Sequence, residues 1–412
     1  MVSLRIPECF LREAAESPST KAGPGKPLVL VATPGFGLAS EVWMYRQVTG
    51  MLRLRPEVLT WKRENPDVYP ATGVPIALAP RSRGENSMRR QWWRLCNQAR
   101  GLGRYCADRP ATDWMLEFLS RHRPDVVLAQ YSGIALLLLP ICRALRIPVV
   151  AHFHGSDISA ALQNSRYRRR LVSNLPRFEA LVCVATYQRD WLLEQGVRSE
   201  RVHWIPCGAQ MHEIPRAKHS AVDDRCRFVM VGRLVEKKRP DLSIRAFARC
   251  LEVQPQCELT VIGDGPMKSE CEALCRSLGI EAKVILMGSQ PNEFVQSELA
   301  RSSVFIQHSV TANTGDKEGW PVSVAEAAGA GLPVVSTRHA GIRDQVDEGE
   351  TGFLVNEGDW ETMAMHMISL AADPELRSRM GQAAREKMLR YDVSNQIAQL
   401  EGVLLTASGI TP

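Results

Sequence analysis

Two glutamates bracket a short turn and the start of a helix in the stretch Glu318-Gly-Trp-Pro-Val-Ser-Val-Ala-Glu326. Proline suits the first position of a helix, because its missing N–H would lack an intrahelical partner there in any case. The pattern therefore predicts a small-residue helix from Val322 to Ala330 that starts near Pro321. The unpaired N–H groups and the partial positive charge of a helix N-terminus form a ready site for a phosphate.

Hydrogen-bond acceptors on either side of an anion site suit a ligand with hydroxyl groups at both ends and phosphate between them. A nucleotide sugar has this layout. The alternative is that Glu318 is a solvated loop residue and Glu326 a helix-surface residue. The hypothesis therefore needs support from other parts of the chain.

Two cations follow a predicted strand in the segment Gly232-Arg-Leu-Val-Glu-Lys-Lys238. Arg233 and Lys238 could neutralise a diphosphate, and an arginine can grip it through two nitrogens. The alternative is an exposed basic loop. A second turn after a strand, Gly263-Asp-Gly-Pro266, carries Gly263 and Gly265, which permit tight packing or the close approach of a ligand.

A histidine pair closes a predicted strand in Ala151-His-Phe-His-Gly-Ser-Asp157. Side chains alternate along a strand, so His152 and His154 point to the same side. If the strand is buried, one of them is a packed, hydrogen-bonded histidine. We assign His154 to the site because it lies at the loop.

Metal-ligating patterns are absent from the sequence, which has no pair of aspartates two residues apart. Stabilisation of a leaving group by cations and a helix dipole, without a metal or a cofactor, is the mechanism consistent with this pattern. The eleven cysteines form no Cys-x-x-Cys pair, which favours structural or free thiols and a reducing cytoplasm.

The composition is typical of a soluble globular protein, with 45% hydrophobic and 23% charged residues in 412 positions, enough for two domains. The N-terminus lacks the pattern of a signal peptide. The most apolar segment, Ile134 to Val150, is interrupted by prolines and arginines and does not predict a membrane span. We predict a cytoplasmic protein.

The segment Arg81–Arg104 is strongly basic, with seven arginines, one acid (Glu85) and the pair Trp92 and Trp93. It could lie on the anionic inner face of a membrane, with the indoles at the headgroup level. The alternative is a solvated basic helix with two core tryptophans. Nucleic-acid binding is disfavoured because no recognised motif surrounds the cluster.

Strands that alternate with helices place these residues in an α/β protein with parallel sheets covered on both faces. In the first half we predict helices at 41–48 and Gly133–Leu145, and strands at Pro27–Ala32, Asp125–Gln130, Ile147–Phe153, Leu181–Ala185 and Val202–Ile205. After the first strand, Gly35 and Gly37 allow a ligand to approach the backbone. Their spacing does not match the dinucleotide fingerprint, which disfavours an NAD enzyme.

A second series of strands follows a polar linker. These strands are predicted at Arg227–Val231, Glu258–Ile262, Val284–Met287, Val304–Ile306 and Pro333–Ser336. We predict an N-terminal Rossmann-like domain (1–210), a linker (211–225), a second domain (226–390) and an amphipathic tail helix (391–412). Ligands of open α/β sheets bind beyond the carboxyl ends of the strands.

These motifs together resemble the retaining glycosyltransferases of family four (glycosyl transferases group 1). That family has the GT-B fold, two Rossmann-like domains that face a central crevice. The resemblance covers about residues 27–405, and its signature lies in Gly319–Val335. Within the family, Gly315–Pro321 and His152–Asp157 are similar to bacterial exopolysaccharide enzymes of the colanic-acid type. Two segments depart from the family pattern: Thr33–Gly37 is not the usual Gly-Gly loop, and Gly341–Gln345 replaces the common Gly-Gly-x-x-Glu.

The resemblance implies a role for each matching residue. Glu318 would bind the transferred sugar, Glu326 the ribose hydroxyls, and His154 would sit by the sugar at the reacting carbon. The remaining donor-binding residues would be Arg233, Lys238, Gly263, Gly265, Trp320, Pro321, Val322 and Ser323, and the acceptor side would include Gly35, Gly37 and Asp157. The tail helix would pack back on the N-terminal domain.

The predicted activity is a metal-independent, retaining hexosyl transfer from a nucleotide sugar. The acceptor would be a glycan or a polyprenyl-diphosphate-linked oligosaccharide in surface polysaccharide biosynthesis. The motifs leave the base open between uracil and guanine, and we favour a UDP-sugar. The alternatives are a nucleotide-sugar epimerase on the same fold and a non-catalytic nucleotide-sugar binding protein.

Overall fold

The computed structural model describes residues 25–38, 41–80, 95, 109–217 and 226–410. The basic segment Arg81–Arg104 therefore lies outside the described residues, apart from Leu95. The chain divides into two compact units. The N-terminal unit comprises Met1–Val184, Gln188–Ile205 and Ile397–Pro412, and the C-terminal unit comprises Ala185–Tyr187 and Pro206–Gln396.

The N-terminal unit is built on a parallel seven-stranded sheet of order β3-β2-β1-β4-β5-β6-β7. Its strands are β1 (Leu28–Thr33), β2 (Arg55–Thr60), β3 (Ile76–Leu78), β4 (Val126–Gln130), β5 (Val149–Phe153), β6 (Ala180–Cys183) and β7 (Val202–Trp204). The described helices of this half are α1 (Val42–Thr49), α2 (Arg109–His122), α3 (Ser132–Ala144), α4 (Ser165–Asn174) and α5 (Thr186–Glu194).

The central strands explain why this half could be predicted. Every residue of β1, β4 and β5 is buried, because helices cover both faces of a parallel sheet. All five predicted strands are confirmed. The prediction missed β2, because it begins with Arg-Pro-Glu and is not a continuous apolar run. It missed β3 because that strand has only three residues.

The C-terminal unit contains a parallel six-stranded sheet of order β10-β9-β8-β11-β12-β13. Its strands are β8 (Arg227–Val231), β9 (Glu258–Ile262), β10 (Val284–Gly288), β11 (Val304–Gln307), β12 (Val334–Thr337) and β13 (Gly352–Val355). The helices are α6 (Pro240–Val253), α7 (Lys268–Leu278), α8 (Asn292–Arg301), α9 (Val322–Ala330), α10 (Ile342–Gln345), α11 (Trp360–Ala372), α12 (Pro374–Leu389) and α13 (Val393–Ala407).

The first five of these strands were predicted from the sequence and are confirmed, as is the helix from Val322 to Ala330. The sixth, β13, was missed. It opens with Gly352, where a Cβ atom would lie 2.0 Å from the carbonyl oxygen of Val334 on the neighbouring strand. The glycine is thus required by close strand packing, although glycine usually argues against a strand.

The described part of the segment that was expected to be a polar linker is packed against a helix. Met211 and Ile214 are buried, and both side chains face Gly329 in α9. The N–H group of Ala217 donates to the carbonyl of Ala330 at 2.8 Å. Apolar residues within this polar segment therefore anchor it on the C-terminal unit.

The last helix contributes to the N-terminal unit from Ile397 onwards. Its buried stripe of Ile397, Leu400 and Leu404 matches the predicted amphipathic pattern. Glu401 accepts hydrogen bonds from the backbone N–H groups of Arg53 (2.6 Å) and Leu54 (2.9 Å). The helix is therefore held by the burial of its apolar side chains and by the hydrogen bonds that Glu401 accepts.

Eight cysteines in the described part of the chain are buried and form no disulfide. In the same part, no helix is both long enough and apolar enough to cross a membrane.

Candidate functional site

Polar side chains gather at the carboxyl ends of the strands in the C-terminal unit. Lys238 lies in the loop after β8, Gln307 closes β11, and Ser309 follows two residues later. Glu318 lies in the turn before α9. Because all these strands are parallel, their carboxyl ends meet at one edge of the sheet and bring these loops together.

A buried ion pair lies at the centre of this cluster. Lys238 Nζ is 3.0 Å from Glu318 Oε1, and the two residues are 9% and 5% exposed. Lys238 Nζ also donates to Gln307 Oε1 at 3.1 Å, and Gln307 Nε2 donates to Ser309 Oγ at 2.8 Å. Ser309 Oγ in turn donates to Glu318 Oε1 at 3.5 Å. These four side chains form a closed ring of polar contacts.

Charge interactions keep Glu318 ionised. Burial by itself would raise the pKa of Glu318, but Lys238, Lys237 and the hydrogen bond from Lys238 together lower it to about 2. Burial also lowers the pKa of Lys238 from its usual value, and the neighbouring Glu318 opposes that effect. We take the pair as ionised at neutral pH, since each charge stabilises the other where water is excluded.

Both alternatives for the glutamates are wrong, because neither residue is on the surface. Glu318 is buried in the ring described above, and Glu326, on α9, is 6% exposed. The helix begins at Val322, as predicted, and Pro321 is the cap residue that precedes it. Ser323 Oγ, in its first turn, donates to Gln307 Oε1 at 3.4 Å and joins the helix start to the ring. Trp320 is buried beside Tyr391, with ring centroids 5.0 Å apart.

The two cations that were predicted as a pair have different environments. Lys238 is committed to Glu318 and Gln307. Arg233 is exposed, and its guanidinium has no hydrogen bond or ion pair with any described residue. Of the two, Arg233 is therefore the one whose guanidinium is available to a ligand.

The predicted glycine turn has a packing role. A Cβ atom on Gly263 would lie 2.0 Å from the carbonyl oxygen of Gly232, and one on Gly265 would lie 2.4 Å from that of Leu234. Both glycines have positive φ values, 142° and 159°. They allow the loop after β9 to pack directly against the backbone on either side of Arg233 and so support the loop that carries it.

A second polar cluster lies at the strand ends of the N-terminal unit, around His154. His154 Nε2 lies 2.8 Å from Gln130 Oε1, and Gln130 Nε2 donates to Gln47 Oε1 at 2.6 Å. Since the amide oxygen of Gln130 accepts, His154 carries its proton on Nε2 and its lone pair on Nδ1. Burial, and then the neighbouring His152, lower the pKa of His154 well below its ordinary value, so the ring is neutral.

The two histidines lie together, as strand alternation predicted, with ring centroids 4.3 Å apart. Both are buried, and His154 is the hydrogen-bonded member of the pair. Neither ring nitrogen of His152 has a hydrogen-bond partner among the described residues. Aromatic rings enclose His154: Trp43 lies at 4.2 Å and Tyr131 at 4.8 Å between centroids.

Asp157 holds the loop that carries His154. One carboxylate oxygen accepts from the N–H of His154 at 3.0 Å, and the other accepts from the N–H of Ser132, at the start of α3, at 2.9 Å. Burial raises the pKa of Asp157, and these hydrogen bonds oppose the rise. Asp157 was predicted on the acceptor side; in the structure its carboxylate accepts from backbone N–H groups and positions His154.

The glycines after β1 also pack against protein. A Cβ atom on Gly37 would lie 2.1 Å from the carbonyl oxygen of Glu64, and Gly37 has a φ of 87°. At Gly35 the nearest atom to such a Cβ would be in the Leu38 side chain, at 3.2 Å. Gly37 was expected to let a ligand approach the backbone. In the structure, the backbone of the segment after β2 occupies that space.

Sequence reasoning missed Gln307, the last residue of β11, and also Ser309 and His339, which follow β11 and β12. The N–H of Glu318 donates to His339 Nε2 at 3.1 Å. Their position directly at the carboxyl ends of strands was the signal that could have identified them. The described residues contain no group of three or more His, Cys, Asp or Glu side chains suited to hold a metal ion.

Comparisons with known proteins match both halves of the chain. The family model "Glycosyl transferases group 1" matches residues 212–387, and "Glycosyltransferase Family 4" matches residues 76–212. The amylovoran biosynthesis glycosyltransferase AmsK of Erwinia amylovora is 29% identical over 58% of this chain and 59% of its own length. The WcaL protein of Escherichia coli K12, whose name assigns it to colanic acid biosynthesis, is 27% identical over 68% of this chain and 69% of its own length.

Among solved structures, HepE of Anabaena in complex with UDP and glucose superposes with a TM-score of 0.73. The sequences are 18% identical, and the match covers 92% of this chain and 100% of HepE. This likeness shows the fold, and with the two parallel sheets it confirms the predicted GT-B class. The two family models together span residues 76–387, about three quarters of the chain. The chain belongs to the group 1, family 4 glycosyltransferases.

Proposed function

We propose that this protein transfers a hexose from a nucleotide sugar to a glycan or a polyprenyl-diphosphate-linked oligosaccharide, in the synthesis of a surface polysaccharide. The observation that carries the proposal is the ionised, buried Glu318 beside the N-terminus of α9, with the exposed Arg233 in the same unit. The names of AmsK and WcaL support a role in exopolysaccharide synthesis. A UDP-sugar is the favoured donor, and the UDP bound to HepE supports this choice.

The ionised carboxylate of Glu318 suits the sugar because it can accept hydrogen bonds from two hydroxyl groups. Lys238 holds that carboxylate in place through the 3.0 Å contact. In this proposal Arg233 and the helix N-terminus bind the diphosphate, and Glu326 binds the ribose hydroxyls. Cations and a helix dipole then stabilise the charge that develops on the leaving diphosphate.

His154 is proposed to contact the sugar as a neutral hydrogen-bonding group. Its Nε2–H is engaged with Gln130, so Nδ1 is the nitrogen that could accept a hydrogen bond from a hydroxyl. The neutral ring cannot stabilise a negative charge as an imidazolium would. We propose retention of the anomeric configuration through front-face attack, with the acceptor hydroxyl deprotonated by the leaving diphosphate; this step rests on analogy with the family.

A donor screen tests the proposed function. Purified protein is incubated with UDP- and GDP-sugars, with and without a membrane extract as the source of lipid-linked acceptor, and with or without EDTA. We expect release of UDP that depends on the acceptor, an α-linked product from an α-linked donor, and no loss of activity with EDTA.

Three outcomes would contradict the proposal. Conversion of the donor sugar without any acceptor would identify an epimerase. Donor binding without turnover would identify a binding protein. Inversion of the anomeric configuration would exclude the retaining mechanism. Peripheral membrane contact through Arg81–Arg104 is a separate proposal, and co-sedimentation with anionic vesicles that persists after those arginines are replaced would refute it.

A further inference from the structure

A short segment after β12 holds the turn that carries Glu318. His339 Nε2 accepts from the N–H of Glu318 at 3.1 Å, and Gln345 Nε2 donates to the carbonyl of Pro321 at 3.1 Å. Between them, Gly341 packs so closely that a Cβ atom there would lie 1.6 Å from the carbonyl oxygen of Gly319. The segment 339–345 therefore contacts the turn at three points, in the same order along both stretches.

The contact at His339 fixes the protonation state of the imidazole. Because Nε2 accepts the backbone N–H of Glu318, it must carry a lone pair, and the single ring proton must be on Nδ1. Nδ1 lies 2.6 Å from Glu357 Oε1, so it donates to that carboxylate. The side chain of His339 is only 1% exposed, which leaves little access for water to replace either bond.

Glu357 is itself held in place. Its Oε2 accepts from the N–H of Thr311 at 2.9 Å. Burial would raise the pKa of Glu357, but the hydrogen bonds from Thr311 and His339 outweigh that effect and lower it. An ionised Glu357 can only accept, which agrees with the tautomer of His339 that the Glu318 N–H requires. The order of contacts is thus Thr311, Glu357, His339 and then Glu318.

We propose that His339 and Glu357 are positioning residues for Glu318, and that the neutral, Nδ1-protonated form of His339 is required to hold the sugar-binding turn. This inference rests on the proposed role of Glu318. A proton added to His339 would point from Nε2 at the N–H of Glu318, where two donors would then face each other. The turn would lose its anchor in the state that carries the extra proton.

The charges around His339 determine when this occurs. Burial lowers the pKa of His339, whereas the hydrogen bond and charge of Glu357 and the charge of Glu318 raise it, and Lys317 lowers it. The net direction is downward, so the anchor is intact at neutral pH and is lost as the pH falls through the lowered pKa. Replacing Glu357 with glutamine removes a negative charge that raises the pKa of His339, so the loss of the anchor should move to lower pH.

Gln345 supplies an independent feature of the same segment. Its amide donates to the Pro321 carbonyl, and an ionised glutamate, the residue that the family pattern commonly has at this position, could not do so. The contact keeps the residue before α9 oriented. This hydrogen bond supports the turn independently of His339, and it does not depend on pH because an amide side chain does not titrate.

The first test is independent of any activity. Protein labelled with ¹⁵N-histidine is titrated by NMR, and the signals of His339 are identified by their loss in His339→Gln. We expect a neutral, Nδ1-protonated ring at pH 7.5, and a lower pKa for His339 in Glu357→Gln than in the parent. An Nε2-protonated or charged ring at this pH, or an unchanged pKa in the variant, would overturn the inference.

The second test follows sugar transfer across pH. In Glu357→Gln we expect kcat/KM to fall on the order of 10-fold at pH 7.5, the cost of one charge-assisted hydrogen bond. We also expect the acid limb of the pH profile, the range in which kcat/KM falls as the pH decreases, to move to lower pH. His339→Gln, which keeps an acceptor for the Glu318 N–H, should be more active than His339→Leu. Glu350→Gln, an exposed glutamate in the same unit, is the matched control and should resemble the parent.

The two kinds of failure are distinguishable. If the parent transfers sugar but Glu357→Gln keeps the acid limb of the parent, the positioning role is refuted and the proposed function stands. If the parent transfers no sugar from any donor, the proposed function fails. The NMR titration then still decides whether His339 has the required tautomer and responds to Glu357.

Discussion

The polar cluster at the strand ends of the C-terminal unit centres on a charged pair, whereas the cluster in the N-terminal unit centres on a neutral histidine among aromatic rings. In the first, Lys238 and Glu318 form a buried ion pair completed by Gln307 and Ser309. In the second, His154 is uncharged, bonded to a glutamine and packed between aromatic rings. Both sites are buried, so burial by itself does not decide which groups are charged.

The difference lies in the partners available to each buried group. Glu318 has two lysines nearby, which overcome the cost of burial and lower its pKa to about 2. His154 has a second histidine as its neighbour, which adds to the effect of burial and keeps the ring neutral. A charged site suits a ligand with phosphate, and a neutral aromatic site suits an uncharged sugar surface. The neutral site thus agrees with the proposed contact between His154 and the sugar.

The largest expected effect comes from removing the charge at the centre of the C-terminal cluster. Glu318→Gln should lower the transfer rate on the order of 10²–10³-fold, comparable to the loss of one preorganised electrostatic contact. It should also lower the melting temperature, because Lys238 then remains as an unpaired buried charge. Initial-rate kinetics and thermal unfolding measure the two effects.

The pH dependence gives a further check on Glu318. Its folded pKa of about 2 lies below the ordinary value of 4.5, so the stability that the carboxylate contributes is complete above about pH 4.5 and is lost as the pH falls towards 2. Glu318→Gln should flatten the stability profile in this range. Asp316→Asn is the matched control, because it removes the partner of Lys237 in a more exposed pair. Equal losses in both variants would refute a special role for the buried pair.

A smaller effect is expected from the exposed cation of the same unit. Arg233→Ala should weaken donor binding about 10- to 100-fold, since a hydrogen bond to a charged group contributes about 1.5–3 kcal/mol. Its melting temperature should match that of the parent, because Arg233 is exposed and has no ion pair with a described residue. Calorimetric titration with UDP measures the affinity.

Arg245→Ala supplies the comparison for Arg233. This arginine is also exposed, on α6, and its loss changes the net charge equally. If UDP affinity falls as much in Arg245→Ala as in Arg233→Ala, the effect is one of overall charge and the assignment of Arg233 is wrong.

The smallest effect concerns the neutral cluster. The pKa of His152 is lowered to about 3 by burial. Below about pH 6.5 His152 is therefore protonated in the unfolded chain, whereas it stays neutral in the folded chain until the pH approaches 3. Stability should therefore fall as the pH drops from 6.5 towards 3. His152→Leu should reduce this slope and should not be less stable than the parent at pH 7, because no described residue hydrogen-bonds the ring of His152.

Thermal unfolding at pH 7 and pH 5 measures this slope. The exposed His212 provides a matched substitution, and His212→Leu should keep the slope of the parent. An unchanged slope in His152→Leu would show that the ring of His152 is not held neutral by its surroundings.

Several features could be read from the sequence because they depend on local pattern. Continuous apolar runs gave β1, β4, β5 and the first five strands of the C-terminal sheet, since a parallel sheet buries both faces of its strands. Pro321 marked the start of α9, because proline is favoured at the first positions of a helix. The resemblance to the family then supplied roles for Glu318, Glu326, Arg233 and Lys238.

Other features depend on contacts between distant parts of the chain, and only the tertiary structure decided them. The sequence alone determined a two-part α/β chain with acids and cations after its strands. It could not show that Lys238 is committed to Glu318 while Arg233 is exposed, because exposure depends on which loops meet at the sheet edge. Nor could it show that Gly37 and Gly263 face backbone, or that His339 and Glu357 hold the Glu318 turn. Hydrogen bonds and burial are set by neighbours in space, and those neighbours come from strands far apart in sequence.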